Sequence, residues 1–391
     1  MLALSFSYSG FIDPNSIQEV ETLKRFPFLI VLLALFTVAL SAQTIYQVKQ
    51  TPPVKMGTSG GNVNDLSKAF CCSGTLGSVV KNGAGTQFVL SNNHVLARAD
   101  QAVAGEDISQ PGLIDSSCRT TNSNIVADFT FSPKLGTANV DAAIAQVKLG
   151  QVATTGEILG VGVPASTTAA PTVGRGVAKA GRTTGLTCGT IGSTDTDVSV
   201  QYQKGCNQGK KFTISYTNQV VMNSSTFSAG GDSGSLIVTS DTAQPVALLY
   251  AGSSSTTIGN PIGDVVSALG VSFVGGGQHA VSCSGGGGGG GGRPNGQSMG
   301  LSDTEHERAK IAKQRNARGL FADPAVQGVG IGEDPDNPGL AALVIYVEEG
   351  RAHGHIPAEI DGVKTVTVIT DRFRAYGWNE STGQQCSKKS D

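Results

Sequence analysis

Three residue types at three separated places in this 391-residue chain could together perform nucleophilic acyl transfer. Ser233 lies in Ser228-Ala229-Gly230-Gly231-Asp232-Ser233-Gly234-Ser235-Leu236. Two glycines before a serine let the chain bend until backbone N–H groups converge beside the hydroxyl, as a nucleophile with an oxyanion hole requires. The same residue types also build ordinary turns, so this stretch alone does not decide. The run from Gln87 to Ala97 reads as an apolar, β-branched strand that delivers His94 at its end, a candidate general base. A lone histidine is commonly structural, and its company must argue otherwise. That company is Asp141, one carboxylate in the otherwise apolar run from Val140 to Ala145. A buried, unpaired carboxylate is costly, and a histidine Nδ1–H is a suitable partner.

The order His94, Asp141, Ser233 resembles that of the chymotrypsin-like (trypsin-like) serine peptidases. Cys72-Ser73-Gly74-Thr75-Leu76 looks like the strand before the catalytic histidine, and Leu248 to Ser253 looks like the strand lining the substrate cleft. Leu90-Ser91-Asn92-Asn93-His94-Val95 with Gly181-Arg182-Thr183-Thr184-Gly185 looks like bacterial branches of that family. The resemblance spans roughly residues 66 to 275 and implies a mainly β, double β-barrel domain. It implies Ser233 as nucleophile, His94 as base, Asp141 as its orienting group, and the N–H groups of Gly231 and Ser233 as oxyanion donors. The substrate pocket it implies comprises Phe227, Ser228, Ala251, Gly252 and Ser253. Thr226-Phe227-Ser228 carries no carboxylate, and no histidine lies between Leu248 and Ser253, which predicts a small or apolar residue before the scissile bond. Two departures stand out. Val95 occupies the place of a cysteine that the family commonly pairs with the one matched by Cys72, and no activation site precedes the domain, so Asp232 is expected to brace the oxyanion loop without a new N-terminus.

Asn260 is expected to cap a short helix through Leu269, with Pro261 in its first turn and Gly270 just past its end. Fifty-three glycines, 15% charged residues and turn signals between short β-rich runs suit an all-β barrel or sandwich. A net charge of −2 offers no basic footprint for nucleic acid. Lys24-Arg25, an apolar stretch from Phe26 to Leu40 and then Ser41-Ala42-Gln43 read as a secretory signal over 1–42, or an uncleaved anchor that would be the only membrane attachment. Residues 43–65 form an N-terminal extension, and the localisation expected is secreted, periplasmic or cell envelope.

Seven cysteines in an exported chain imply disulfides. Cys188 and Cys206 flank a predicted hairpin and form the first candidate pair; Cys118 with Cys71 or Cys72 is the second, and Cys283 and Cys386 stay unassigned. No cysteine or histidine spacing matches a zinc site, and no cofactor is implied.

Eight glycines, 285–292, within a linker at 281–298 separate the peptidase-like domain (66–280) from a small α+β unit (299–380) and a tail (381–391). The linker should let the flanking units move independently. Ser302 and Glu305 as a capping box and Gly319 as a stop predict a helix over about 303–318. Strand-like runs follow at 326–332, 340–347 and 363–369. Gly328-Val329-Gly330-Ile331-Gly332 reads as a turn between strands, since Glu333-Asp334-Pro335 would repel phosphate. The unit is expected to contact the catalytic domain or a surface ligand. Two functions compete: a serine endopeptidase acting on proteins or peptides, and a catalytically silent scaffold serving as a surface binding or adhesion module.

Overall fold

The computed structural model describes residues 44–283, except 69 and 207, and residues 300–375. The expected signal or anchor, the glycine run, the tail and Cys386 lie outside the described residues. Among the described residues, no helix is long and apolar enough to cross a membrane.

The fold is mainly β, built on two large curled sheets. The first joins β1 (Thr58–Asn62), β2 (Gly74–Leu76), β3 (Ser78–Lys81), β4 (Gln87–Ser91), β5 (Asp107–Gln110), β6 (Asn124–Phe131), β7 (Ala143–Val147) and β15 (Ser272–Phe273). The four-residue helix α1 (Asn93–Leu96) follows β4. The second sheet carries β8 (Gly176–Gly181), β9 (Gly185–Thr190), β10 (Ser193–Gln203), β11 (Lys211–Asn223), β12 (Leu236–Thr239), β13 (Pro245–Gly252) and β14 (Thr256–Pro261). Alternating buried and half-exposed residues along β10 show one face of that strand turned to the interior. A continuous apolar core joins the sheets, with Leu90, Ile108 and Ile144 from the first packed in one cluster with Ala178, Leu236 and Leu248 from the second. Helix α2 (Ile262–Leu269) closes this region, and Gly270 ends it in the left-handed conformation at φ 65. Its N-cap is Pro261, one residue later than expected. Asn260 ends up in β14 because its side chain is committed elsewhere, as described below.

The C-terminal segment forms α3 (Asp303–Leu320), β16 (Val326–Glu333), β17 (Ala341–Glu348), β18 (Glu359–Ile360), β19 (Val363–Thr370) and β20 (Arg374–Ala375). Ser302 caps α3 by accepting the Glu305 N–H at 3.2 Å. The helix runs past Gly319 to Leu320 and buries Ala309 and Ala312 against Ile331 and Leu343 of the strands.

Independent movement of the segments flanking the linker is not what the structure has. β16 pairs antiparallel with β10, placing Thr194 opposite Ile331 and Val198 opposite Gly328, so the second sheet continues through the C-terminal strands. The glycine string takes part in that pairing. It is the interior of β16 instead of a turn, and its glycines recur every second residue, on one face of the strand. A Cβ at Gly330 would lie 2.3 Å from Thr196 Oγ1, and one at Gly332 would lie 2.6 Å from Val344 Cγ2. Lys313 of α3 adds a bond of 2.8 Å to Asp197 of β10.

Among the described residues the disulfides are Cys71–Cys118, Cys72–Cys206 and Cys188–Cys283. The expected Cys188–Cys206 pair is therefore corrected. Cys188 lies in β9, while Cys206 sits beyond the far end of the 11-residue β10, and strands of that length carry their ends far outside disulfide reach. Cys72 takes the hairpin cysteine as partner, which leaves Val95 free to pack beside Gly74.

Candidate active site

Strand β2 is the template on which the histidine and serine segments meet. Thr75 donates its N–H to the Ser233 carbonyl at 2.8 Å and its hydroxyl to the Gly231 carbonyl at 2.9 Å. On the other side, Ser91, at the end of β4, donates its hydroxyl to the Thr75 carbonyl at 2.7 Å. Gly74 has no room for a side chain: a Cβ would lie 2.6 Å from Val95 Cγ2 and 2.9 Å from the Ser233 carbonyl oxygen. The glycine between cysteine and threonine is thus a contact requirement of both segments.

His94 and Asp141 are brought together in the interior. His94 Nδ1 lies 2.6 Å from Asp141 Oδ2, and the His94 backbone N–H donates to Asp141 Oδ1 at 3.2 Å. Asp141 is fully buried just before β7 and makes further bonds that hold its backbone. Its N–H donates to Asn260 Oδ1 at 2.9 Å, and its carbonyl accepts from Asn92 Nδ2 at 2.7 Å. Asn260 in turn donates to Gln219 at 2.7 Å, which explains why it is unavailable as a helix cap. The Tyr202 hydroxyl donates to Asp141 Oδ2 at 2.9 Å and shares a 2.8 Å bond with Tyr216. Burial, with Asp141 nearby, holds the Tyr202 phenol well above its ordinary pKa, so it remains a donor.

His94 Nε2 and Ser233 Oγ are both buried and both lack a hydrogen-bond partner. Buried polar atoms are ordinarily paired, and these two are left open at the ends of the two segments held by β2. Gly231 has φ 98 and Gly234 φ 93, values that a side chain rarely tolerates. Asp232 is fully buried between them and grips the neighbouring loop. It accepts N–H bonds from Thr183 at 2.8 Å, Thr184 at 3.2 Å and Ala229 at 3.0 Å, and the Thr184 hydroxyl at 2.7 Å. Lys179 Nζ, fully buried, lies 3.3 Å from Asp232 Oδ2. Burial pulls the Lys179 pKa down and Asp232 opposes it. Arg182 braces the same loop from outside through a fork on Asp115, at 2.6 and 2.7 Å.

The residues expected to line a substrate pocket are enclosed. Phe227 is fully buried in the core beside Val220, Ile237 and Leu249, and its carbonyl accepts the Thr187 hydroxyl at 2.6 Å. Ser228 bonds Thr257 through its hydroxyl. Ala251 and Gly252 are buried and paired edge-on with β20, and Ser253 Oγ is bonded to Thr256 at 2.6 Å and to Thr370 of the C-terminal segment. His353 and His355 lie in an exposed loop.

Residues 116–259 match the family model of the Nal1 C-terminal domain, a span that includes Asp141 and Ser233. Among solved structures, a glutamic acid specific serine protease that uses a histidine triad in substrate binding is 20% identical, with a TM-score of 0.39 over 56% of this chain and 100% of that one. Thermobifida fusca protease A is 19% identical, with a TM-score of 0.38 over 57% of this chain and 99% of that one. Cellulomonas bogoriensis chymotrypsin is 19% identical, with a TM-score of 0.37 over 56% of this chain and 97% of that one. This chain resembles the bacterial chymotrypsin-like serine proteases. No curated protein matches it.

Tyr202, Asn260 and Lys179 are the site residues that sequence reasoning missed. Tyr202 and Asn260 lie in unremarkable β stretches. Lys179 left a weak trace, as the only charge in the apolar run Val177 to Ala180.

Proposed function

We propose that this chain is an exported serine endopeptidase that hydrolyses peptide bonds through an acyl-enzyme intermediate. Ser233 Oγ attacks the scissile carbonyl and passes its proton to His94 Nε2. Asp141 holds the imidazole in the tautomer whose Nε2 accepts that proton and stabilises the imidazolium that forms. The N–H groups of Gly231 and Ser233 receive the oxyanion, in a loop braced by Asp232 and Lys179. His94 then returns the proton to the leaving amine, and water repeats the sequence on the acyl group. The reading is carried by one observation: a buried His94–Asp141 bond of 2.6 Å whose outer nitrogen, like Ser233 Oγ, is buried without a partner.

In this reading residues 66–280 are catalytic, residues 281–298 are the linker and residues 299–380 are an accessory unit. The preference is for a small or apolar residue before the scissile bond. The glutamic acid preference of one similar protein does not carry over, because Tyr250 to Ser253 holds no histidine and Thr226 to Ser228 no cation. Disulfides at three places support export.

Labelling with a fluorophosphonate probe, followed by mapping of cleavage in a mixed protein substrate, tests it. Modification at Ser233 and cleavage lost in Ser233→Ala are the results expected. A folded chain that neither labels nor cleaves would establish the silent binding scaffold instead.

A further inference from the structure

Strand β13 has two edges, and their occupants differ. β14 takes one edge along its length, from Ala247 opposite Pro261 to Gly252 opposite Thr257. The other edge is shared. β12 pairs with it between Pro245 and Leu248, and then Leu249 exchanges bonds with the nucleophile loop, donating to the Ser235 carbonyl at 3.0 Å and accepting the Gly234 N–H at 2.8 Å. Two residues further along, roughly 7 Å at strand rise, this same edge is taken by β20, with Ala251 opposite Ala375 and Gly252 opposite Arg374. The pairing is antiparallel, so β20 runs from Gly252 back toward Leu249 and the Ser233 loop.

An extended peptide that adds to this edge beside Ser233 would lie where β20 lies. Strand addition supplies backbone hydrogen bonds without demanding a particular side chain. Ala375 is fully buried there, and Phe373, two residues before it, is anchored firmly. Phe373 is fully buried against Tyr346, its N–H donates to Gln327 at 2.8 Å, and its carbonyl accepts the Gln201 N–H at 2.9 Å. The C-terminal unit thus holds a short strand on the edge of β13 from a fixed point.

We propose that β20 is a built-in competitor that occupies the peptide-docking edge at Ala251–Gly252, so that a substrate chain must displace Arg374–Ala375 before it reaches Ser233. The inference rests on the peptidase reading for the nature of the competing ligand. Tethering makes the occupant effectively concentrated, and an apparent affinity falls by the fraction of molecules whose edge is open.

The test reads binding in a Ser233→Ala background, so its outcome does not depend on whether Ser233 is a nucleophile; fluorophosphonate labelling of the unaltered chain decides that separately. A fluorescein-labelled peptide of residues 374–383 is titrated by anisotropy against the full chain, against a chain ending at Phe373, and against full-length Ala375→Pro, which keeps Phe373 but puts a proline in the ladder. Affinity at least about tenfold higher for the shortened chain than for the full chain, with Ala375→Pro also tighter than the full chain, is the result expected. Equal affinity for all three overturns the proposal, as does no binding to the shortened chain when its melting shows it folded. Should the shortened chain fail to fold, Ala375→Pro alone decides by the same comparison.

Discussion

Tyr202 hydrogen-bonds the same oxygen of Asp141 that receives the His94 imidazole, at 2.9 Å against 2.6 Å for His94. The carboxylate is therefore oriented from the second sheet, through a strand that also carries the C-terminal unit. Bonds to charged groups are worth about 1.5–3 kcal/mol, and this one stabilises the carboxylate that faces an imidazolium in the proposed reaction. Tyr202→Phe should lower kcat/KM by roughly tenfold to a hundredfold and move the acid limb of the profile to higher pH, because a carboxylate without its phenol donor stabilises the imidazolium more strongly. An unchanged profile with reduced melting temperature would assign Tyr202 to packing alone.

Lys179 and Asp232 form a buried pair whose separation would leave a carboxylate without its cation. Breaking such pairs costs about 3–5 kcal/mol, and the four remaining donors to Asp232 place Lys179→Met near the lower end. Denaturant unfolding should show that loss. Fluorophosphonate labelling should slow as well, because the same carboxylate holds the Gly231–Ser233 turn.

Gly231→Ala tests the oxyanion loop. A Cβ would lie 2.5 Å from Thr183 Oγ1 at a φ of 98, so the turn must reshape. Loss of a properly aimed donor predicts a fall in kcat of about a hundredfold or more, with the global fold intact by circular dichroism.

Asp65 gives a pH prediction of defined sign. Burial raises its pKa from 3.8 to about 7, with Arg98 and His94 opposing. The folded state holds its proton where the unfolded chain has lost it, so the contribution is full below about pH 4 and is lost as pH rises through about 7. Three pKa units correspond to about 4 kcal/mol at most. Urea unfolding of Asp65→Asn should show less decline between pH 5 and pH 8 than the unaltered chain, and parallel declines would count against the assignment.

The candidate stretches could be picked out of the sequence because each is local: a histidine after a strand, a lone carboxylate in an apolar run, a serine after glycines; of these the structure brings His94 and Asp141 into contact. The mainly β class was legible for the same reason, in short alternating runs. What escaped depends on contacts between distant segments. Nothing near Tyr202 announces a partner 61 residues away. The disulfides followed tertiary proximity, joining Cys188 to a cysteine 95 residues on instead of to Cys206 beyond the end of β10. Gly328, Gly330 and Gly332 were visible, yet their period of two belonged to a strand face on which Gly330 meets Thr196 of β10 while Gly328 and Gly332 meet Tyr346 and Val344 of β17, and only the folded neighbours reveal that need.

Because β16 hydrogen-bonds to β10, the polypeptide connection through the glycine run is not what holds the two halves in register. A single cut within 285–292 should yield two fragments that migrate together under native conditions and separate only on denaturation. Expressed as separate chains, the two would act as complementing halves, with β10 and β13 completed only when the second fragment arrives.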